Sequence, residues 1–347
     1  KPKVSSRKLC TFTRQIATLQ EAGVPLIQSL ESTKEQTDDK VLKQALKDII
    51  EQIRSGESFS SALSLHRRIF SDLYINMVKV AESGGLLAEV LERLANLLEY
   101  EEDTKSRIKS ATRYPVIVMS VLAAAFIALI TLVVPRFLDA YKRFNMQLPL
   151  PTRILIGLNF IIMHYWWAIL IVLIIIVFLL KRSLNTQAGR LFWDSLQLKM
   201  PIFGPLIVML TMSRFSRILA ILIKSGVPIL ETLGFVSLGV GNAAIAKVIN
   251  GIKTGVAQGQ GLSGPMKISK FFPPMIVQMV AVGEETGKLS SLLLKVSDYY
   301  DRQAEYIIKN LSTLLEPILI IILGLGVLVM ALGIFLPMWN LVYMFKR

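Results

Sequence analysis

The sequence predicts an all-α integral membrane protein, with two homologous helical bundles of about six helices each and three transmembrane helices. Three observations carry that prediction. Apolar residues make up 53% of the 347 residues, and the mean hydropathy of +0.53 is too high for a soluble chain of this length. Three stretches are apolar for at least the ~20 residues that a bilayer-crossing helix needs. One helical pattern, with its glycines and prolines in register, is written twice.

Taken in chain order, residues 1–113 form the first bundle. Phe12, Ile16, Leu19 and Gly23 step by four, three and four, which is one face of a helix. Gly23 suits the left-handed turn that ends it, and Pro25 suits the first turn of the next helix. Leu87, Leu91, Leu94 and Leu98 mark another helical face, entered through the AESGG corner with Glu82 and Gly85. Residues 114–138 are the first span, built on VIVMSVLAAAFIALITLVV. Residues 139–153 are a short connector stiffened by Pro149 and Pro151. Residues 154–180 are the second span, closed by Lys181 and Arg182.

Residues 181–313 are the second bundle. FSRILAILIKSGVPILETL (215–233) repeats FTRQIATLQEAGVPLIQSL (12–30) at an offset of 203. Gly226 and Pro228 therefore make the same corner as Gly23 and Pro25. MVAVGEETGKLSSLLLKV (279–296) repeats MVKVAESGGLLAEVLERL (77–94) at an offset of 202, pairing Glu284 and Gly287 with Glu82 and Gly85. One residue is thus deleted between the two blocks. Residues 314–344 are the third span, and Pro317 repeats Pro115. Tyr114-Pro115 and Glu316-Pro317 are read as the junctions where each bundle enters its span. Gly324, Gly326, Gly333 and Ala123 are candidate close-approach points between membrane helices, within the chain or with a partner's helix.

Two crossings separate the bundles, so both lie on one side of the membrane. Lys105, Arg107, Lys109 and Arg113 before the first span, and Lys181, Arg182, Arg190 and Lys199 after the second, favour the cytoplasmic side. Residues 181–313 carry 15 basic and 7 acidic side chains, against 18 and 16 in residues 1–113. That surplus suits anionic lipid or an acidic partner, and Lys267, Lys270 and Lys288 are candidates for such contacts. No basic block with interleaved aromatics points to nucleic acid.

Several motifs favour bland readings. Residues 259–264 spell GxGxxG, but no strand precedes them. Residues 283–289 fall one residue short of a phosphate loop and carry Leu289 where Ser or Thr would ligate magnesium. Cys10, His66 and His164 have no metal-site spacing, and one cysteine makes no internal disulfide. His164 lies inside the second span and reads as a neutral, hydrogen-bonded side chain. Glu82 and Glu284 read as caps on backbone amides. No cofactor, metal or catalytic residue set is expected. A polytopic secondary transporter with parallel repeats is the alternative class, and one intramembrane histidine gives it little to bind a solute with.

The repeated FxR…GVP corner, GEETGKL, and RIKSATRYP leading into a span that ends VVP together resemble the PilC/GspF family. These are inner-membrane platform proteins of type IV pilus and type II secretion machines. The resemblance covers nearly the whole chain, with Thr112 and Leu122 as departures. It implies a non-enzymatic homo-oligomer in the bacterial inner membrane, with both bundles cytoplasmic and residues 139–153 periplasmic. It further implies docking to a hexameric assembly ATPase and in some systems a retraction ATPase, insertion or extrusion of pilin or pseudopilin subunits, and contact with alignment-complex proteins.

Overall fold

The computed structural model describes residues 4–133, 150–184, 186–201, 203–269 and 271–345. The expected connector and the end of the first span fall largely outside that set, as does Lys270. No strand occurs among the described residues.

The first repeat consists of α1 (Ser6–Glu21), α2 (Leu26–Gln36), α3 (Lys40–Arg54), α4 (Phe59–Ser64), α5 (Asp72–Gly84) and α6 (Leu87–Ala128). A five-residue π-helical stretch, Leu129–Val133, follows α6. Next come α7 (Leu150–Leu184) and α8 (Gln187–Lys199). The second repeat consists of α9 (Phe203–Lys224), α10 (Ile229–Gly239), α11 (Ala243–Ala257), α12 (Ser263–Ile268), α13 (Pro274–Thr286) and α14 (Leu289–Lys309). The chain ends in α15 (Leu311–Phe345).

Local sequence explains where the helices begin. Asp39 caps α3 by accepting from the Val41 and Leu42 amides, and Asn242 caps α11 from Ala244 and Ile245 in the same way. Ser5, Ser58 and Ser71 cap α1, α4 and α5. The amides that Asp39 holds also keep its carboxyl below the usual carboxylate range, helped by Lys8 at 3.0 Å.

The chain divides into two compact units. The first joins residues 1–107 to residues 191–307, so it contains both repeats. They share one hydrophobic core. Phe12, Ile16, Leu46 and Phe70 contribute from the first repeat, and Phe215, Leu219, Ile249 and Phe272 from matching positions of the second. The one-residue deletion lies in the loop after the short fourth helix: Leu63 and Met266 are still 203 apart, whereas Phe70 and Phe272 are 202 apart.

The second unit joins residues 108–190 to 308–347 and holds the most apolar helices. Most of its described side chains are exposed, including Val121, Leu173, Ile174, Ile320 and Leu328. Such surfaces suit a lipid environment. The Asn159 amide donates to the Ile130 carbonyl at 3.0 Å, satisfying an acceptor in the π-helical stretch.

Both junction prolines lie inside helices: α6 runs through Pro115 without a break, and Pro317 lies inside α15. Proline removes one amide donor, and an apolar helix tolerates that when nearby groups re-satisfy the backbone. One turn before Pro115, Thr112 donates its hydroxyl to the Ile108 carbonyl at 2.9 Å.

Candidate functional site: the repeated corners and the seam

Glycine fixes the corners. Gly23 and Gly226 both have φ +77°, and Gly85 and Gly287 have φ +67° and +68°. Side chains with a Cβ rarely take that conformation. The amide of Val24 then reaches the Leu19 carbonyl at 3.0 Å, and Val227 reaches Leu222 at the same distance. Pro25 and Pro228 follow at the N-cap positions of α2 and α10, one residue earlier than the expected first turn. A third matched pair, Gly56 and Gly259, also has positive φ. Gly259 belongs to the GxGxxG letters, and it ends a helix there.

Glu82 and Glu284 reach back from α5 and α13 to the start of the short helices α4 and α12. Glu82 accepts from the Phe59 amide at 2.6 Å, the Ser60 amide at 3.2 Å and the Ser60 hydroxyl at 2.8 Å. Glu284 accepts from the Leu262 amide, and from the Ser263 amide at 3.0 Å. These amides would otherwise lack partners in the first helical turn, and a carboxylate there also suits the helix dipole.

The arginine of each FxR motif pairs with an acid at the equivalent place on the last bundle helix. Arg14 meets Glu99 at 2.6 Å and also donates to Asn96. Arg217 meets Asp301, with Asp298 at 3.6 Å. The Arg14 hydrogen bond holds the Glu99 carboxyl below its ordinary range. Sequence reasoning missed both acids, although their offset of 202 against 203 for the arginines was a usable signal.

A seam joins the repeats. Arg217 also lies over the Tyr100 ring, 5.3 Å from its centre. Burial, then the hydrogen bond to Asp301, push the Tyr100 phenol well up. Glu101 pairs with Arg214 at 3.1 Å, yet burial outweighs the pair and raises its carboxyl. Arg107 bridges Asp103, at 2.8 Å, and Glu305. Leu73 of α5 packs against Gly239 of α10 so closely that a Cβ there would stand 2.7 Å from the leucine methyl.

The other predicted residues are dispersed. In the membrane unit, a Cβ on Gly326 would stand 3.7 Å from a Leu122 methyl, while nothing lies within 4 Å of a Cβ at Gly324. Gly333 lies within α15, and Ala123 is exposed on α6. Tyr114 is exposed on α6 beside Pro115, and Glu316 precedes Pro317 in α15. Lys267 and Lys288 are exposed at the end of α12 and just before α14. His164 stacks on Phe160 at 4.5 Å, and its carbonyl accepts from the Trp167 indole at 3.1 Å. His66 stands 3.8 Å from Asp48. Among the described residues no group of three His, Cys, Asp or Glu side chains is placed to hold a metal ion.

The sequence has relatives among known proteins. Residues 12–135 and 215–337 each match the family described as type II secretion system protein F. The chain is 35% identical to a type IV pilus assembly protein PilC of Myxococcus xanthus, over 97% of this chain and 81% of that protein. A protein of the same name from Thermus thermophilus is 36% identical, over 97% and 83%. A type II secretion system protein F of Xanthomonas campestris is 30% identical, over 96% and 82%.

Proposed function

Since the chain belongs to the family of type II secretion system protein F and its type IV pilus counterparts, we propose that it is the inner-membrane platform of such a machine. It handles force rather than bond chemistry. Its two bundles face the cytoplasm, where a hexameric assembly ATPase engages them. Its apolar helices face pilin or pseudopilin subunits in the bilayer and lift them into a growing fibre. Self-association and neighbouring alignment-complex proteins hold it in place.

One observation carries the reading: α6 is a single helix from Leu87 to Ala128. Its first half lines the shared core through Leu91 and Leu94, and its second half is lipid-like. A displacement of the bundle is therefore delivered to the apolar helix with no flexible joint between them. The shared core also supports placing both repeats on one side of the membrane, because no bilayer can divide it. The exposed Lys267 and Lys288, with Lys270, are the cationic contacts proposed for an acidic motor surface or lipid headgroups.

A Gly/Ser linker inserted between Arg113 and Tyr114 tests the coupling. It is expected to abolish piliation or secretion while protein level and ATPase co-purification stay normal. Normal fibre assembly with the linker in place would overturn the coupling. Charge reversal at Lys267, Lys270 and Lys288 is expected to weaken ATPase pull-down, and unchanged recovery removes the electrostatic contact.

A further inference from the structure

The helix between the second span and the second repeat has two faces. Leu191, Asp194 and Leu198 of α8 point one way. Asp194 accepts from the Ala243 amide at 2.7 Å, its carbonyl accepts from the Asn242 amide group at 3.3 Å, and Leu198 packs on the core. The other face carries Phe192, Trp193 and Leu196, with Met200 just beyond the helix, and these are 71%, 37%, 43% and 42% exposed. Four bulky apolar side chains share one outward stripe of about two turns.

Both ends of α8 are tight corners. At its start, Thr186 donates its hydroxyl to the Ser183 carbonyl at 2.7 Å and accepts from the Gly189 amide at 3.2 Å. A Cβ on Gly189 would stand 2.2 Å from that carbonyl, so only glycine fits. At its end, a Cβ on Gly204 would stand 2.5 Å from the Leu198 carbonyl. The strap between α7 and α9 is thus helical, with glycine at both of its corners.

We propose that α8 is an interfacial helix. Its Phe192, Trp193, Leu196 and Met200 stripe rests at the headgroup–acyl boundary of the membrane that α7 crosses. Lys181, Arg182 and Lys199 lie against anionic phosphates there. Two residues separate α7 from α8, so the strap begins where the span leaves the hydrocarbon. Lys181 and Arg182 are exposed on the last turn of α7, and Lys199 is exposed on the last turn of α8. Aromatic side chains with flanking cations are the composition that partitions to this layer. The proposal rests on α7 being a span and not on the force-coupling role.

Nitroxide labels on the full-length chain test it, in a Cys10→Ala background, with one chain per nanodisc of phosphatidylcholine and phosphatidylglycerol. Labels at Phe192→Cys and Leu196→Cys are expected to collide with oxygen, relative to a water-soluble nickel chelate, several-fold more than a label at the exposed Glu57→Cys. A label at Val177→Cys reports whether α7 is in the acyl region. Water-like values at positions 192 and 196 with a lipid-like Val177 overturn the strap alone. Water-like values at all three overturn the strap and the span together. Shielding of positions 192 and 196 from both oxygen and nickel assigns the stripe to protein and overturns the lipid contact.

Discussion

The same groove is built twice and finished in opposite ways. In the second repeat Ile218 of α9 and Leu73 of the first repeat close on Gly239 of α10, and Val236 and Val240 at the neighbouring positions are buried. In the first repeat the matching positions are Gln15, Thr33, Gln36 and Thr37, which line an open groove between α1 and α2. Gln15 donates to Gln36 across it at 3.1 Å. The plug position differs too: Leu73 is buried, whereas its counterpart Met275 on α13 is half-buried. Duplication supplied two sockets and two plugs, and only one pair is apolar enough to close.

The largest test of that asymmetry is the plug itself. Leu73→Ala is expected to cost about 3 kcal/mol, the usual penalty for emptying a buried leucine site. Met275→Ala should cost roughly 1 kcal/mol, because less apolar surface leaves water there. Unfolding midpoints of the detergent-solubilised chain compare the two, and equal losses would break the distinction.

The FxR pairs come next. Arg217 and Asp301 are 20% and 17% exposed, so removing the arginine strands a largely buried carboxylate, and Arg217→Ala is expected to cost roughly 2–3 kcal/mol. Glu99 is 45% exposed and solvent screens it, so Arg14→Ala should cost no more than about 1 kcal/mol. Denaturant titration of both variants sharpens the ranking, and a costlier Arg14→Ala would reverse it.

The smallest effect is a dependence on pH. Burial raises the Glu101 carboxyl, so the folded chain holds that proton to higher pH than the unfolded chain does. Stability from this group is present at low pH and falls as pH rises from the unfolded to the folded value. Glu101→Gln removes that slope. The difference in melting temperature, variant minus wild type, should grow more positive across the range. Glu99 is shifted the other way, so Glu99→Gln should show a deficit that shrinks as pH falls. A flat difference curve for Glu101→Gln would sink the assignment.

Local constraints were readable in the letters, and distant contacts were not. The GVP corners could be recognised because glycine and proline restrict their own backbone. The carboxylates of Glu82 and Glu284 stood out because they recur beside glycines. The Arg14–Glu99 and Arg217–Asp301 pairs required matching residues 85 and 84 positions apart in two copies. The plug and socket were invisible, because Gly239 reads as an ordinary helix end until Leu73 is placed beside it. At Pro115 the local rule and the fold diverge: proline ordinarily interrupts a helix, yet α6 continues through it. Helix α9 shows the same limit: it is apolar enough to look like a span, but it is buried at the centre of the bundle.

The common core has a consequence for how the chain is made. Leu73 and Ile75 are synthesised some 160 residues ahead of Gly239, with two apolar helices to be inserted in between. The nascent first repeat must wait at the ribosome exit with its plug uncovered, and a chain that stops before α10 would present that greasy ridge to chaperones and proteases.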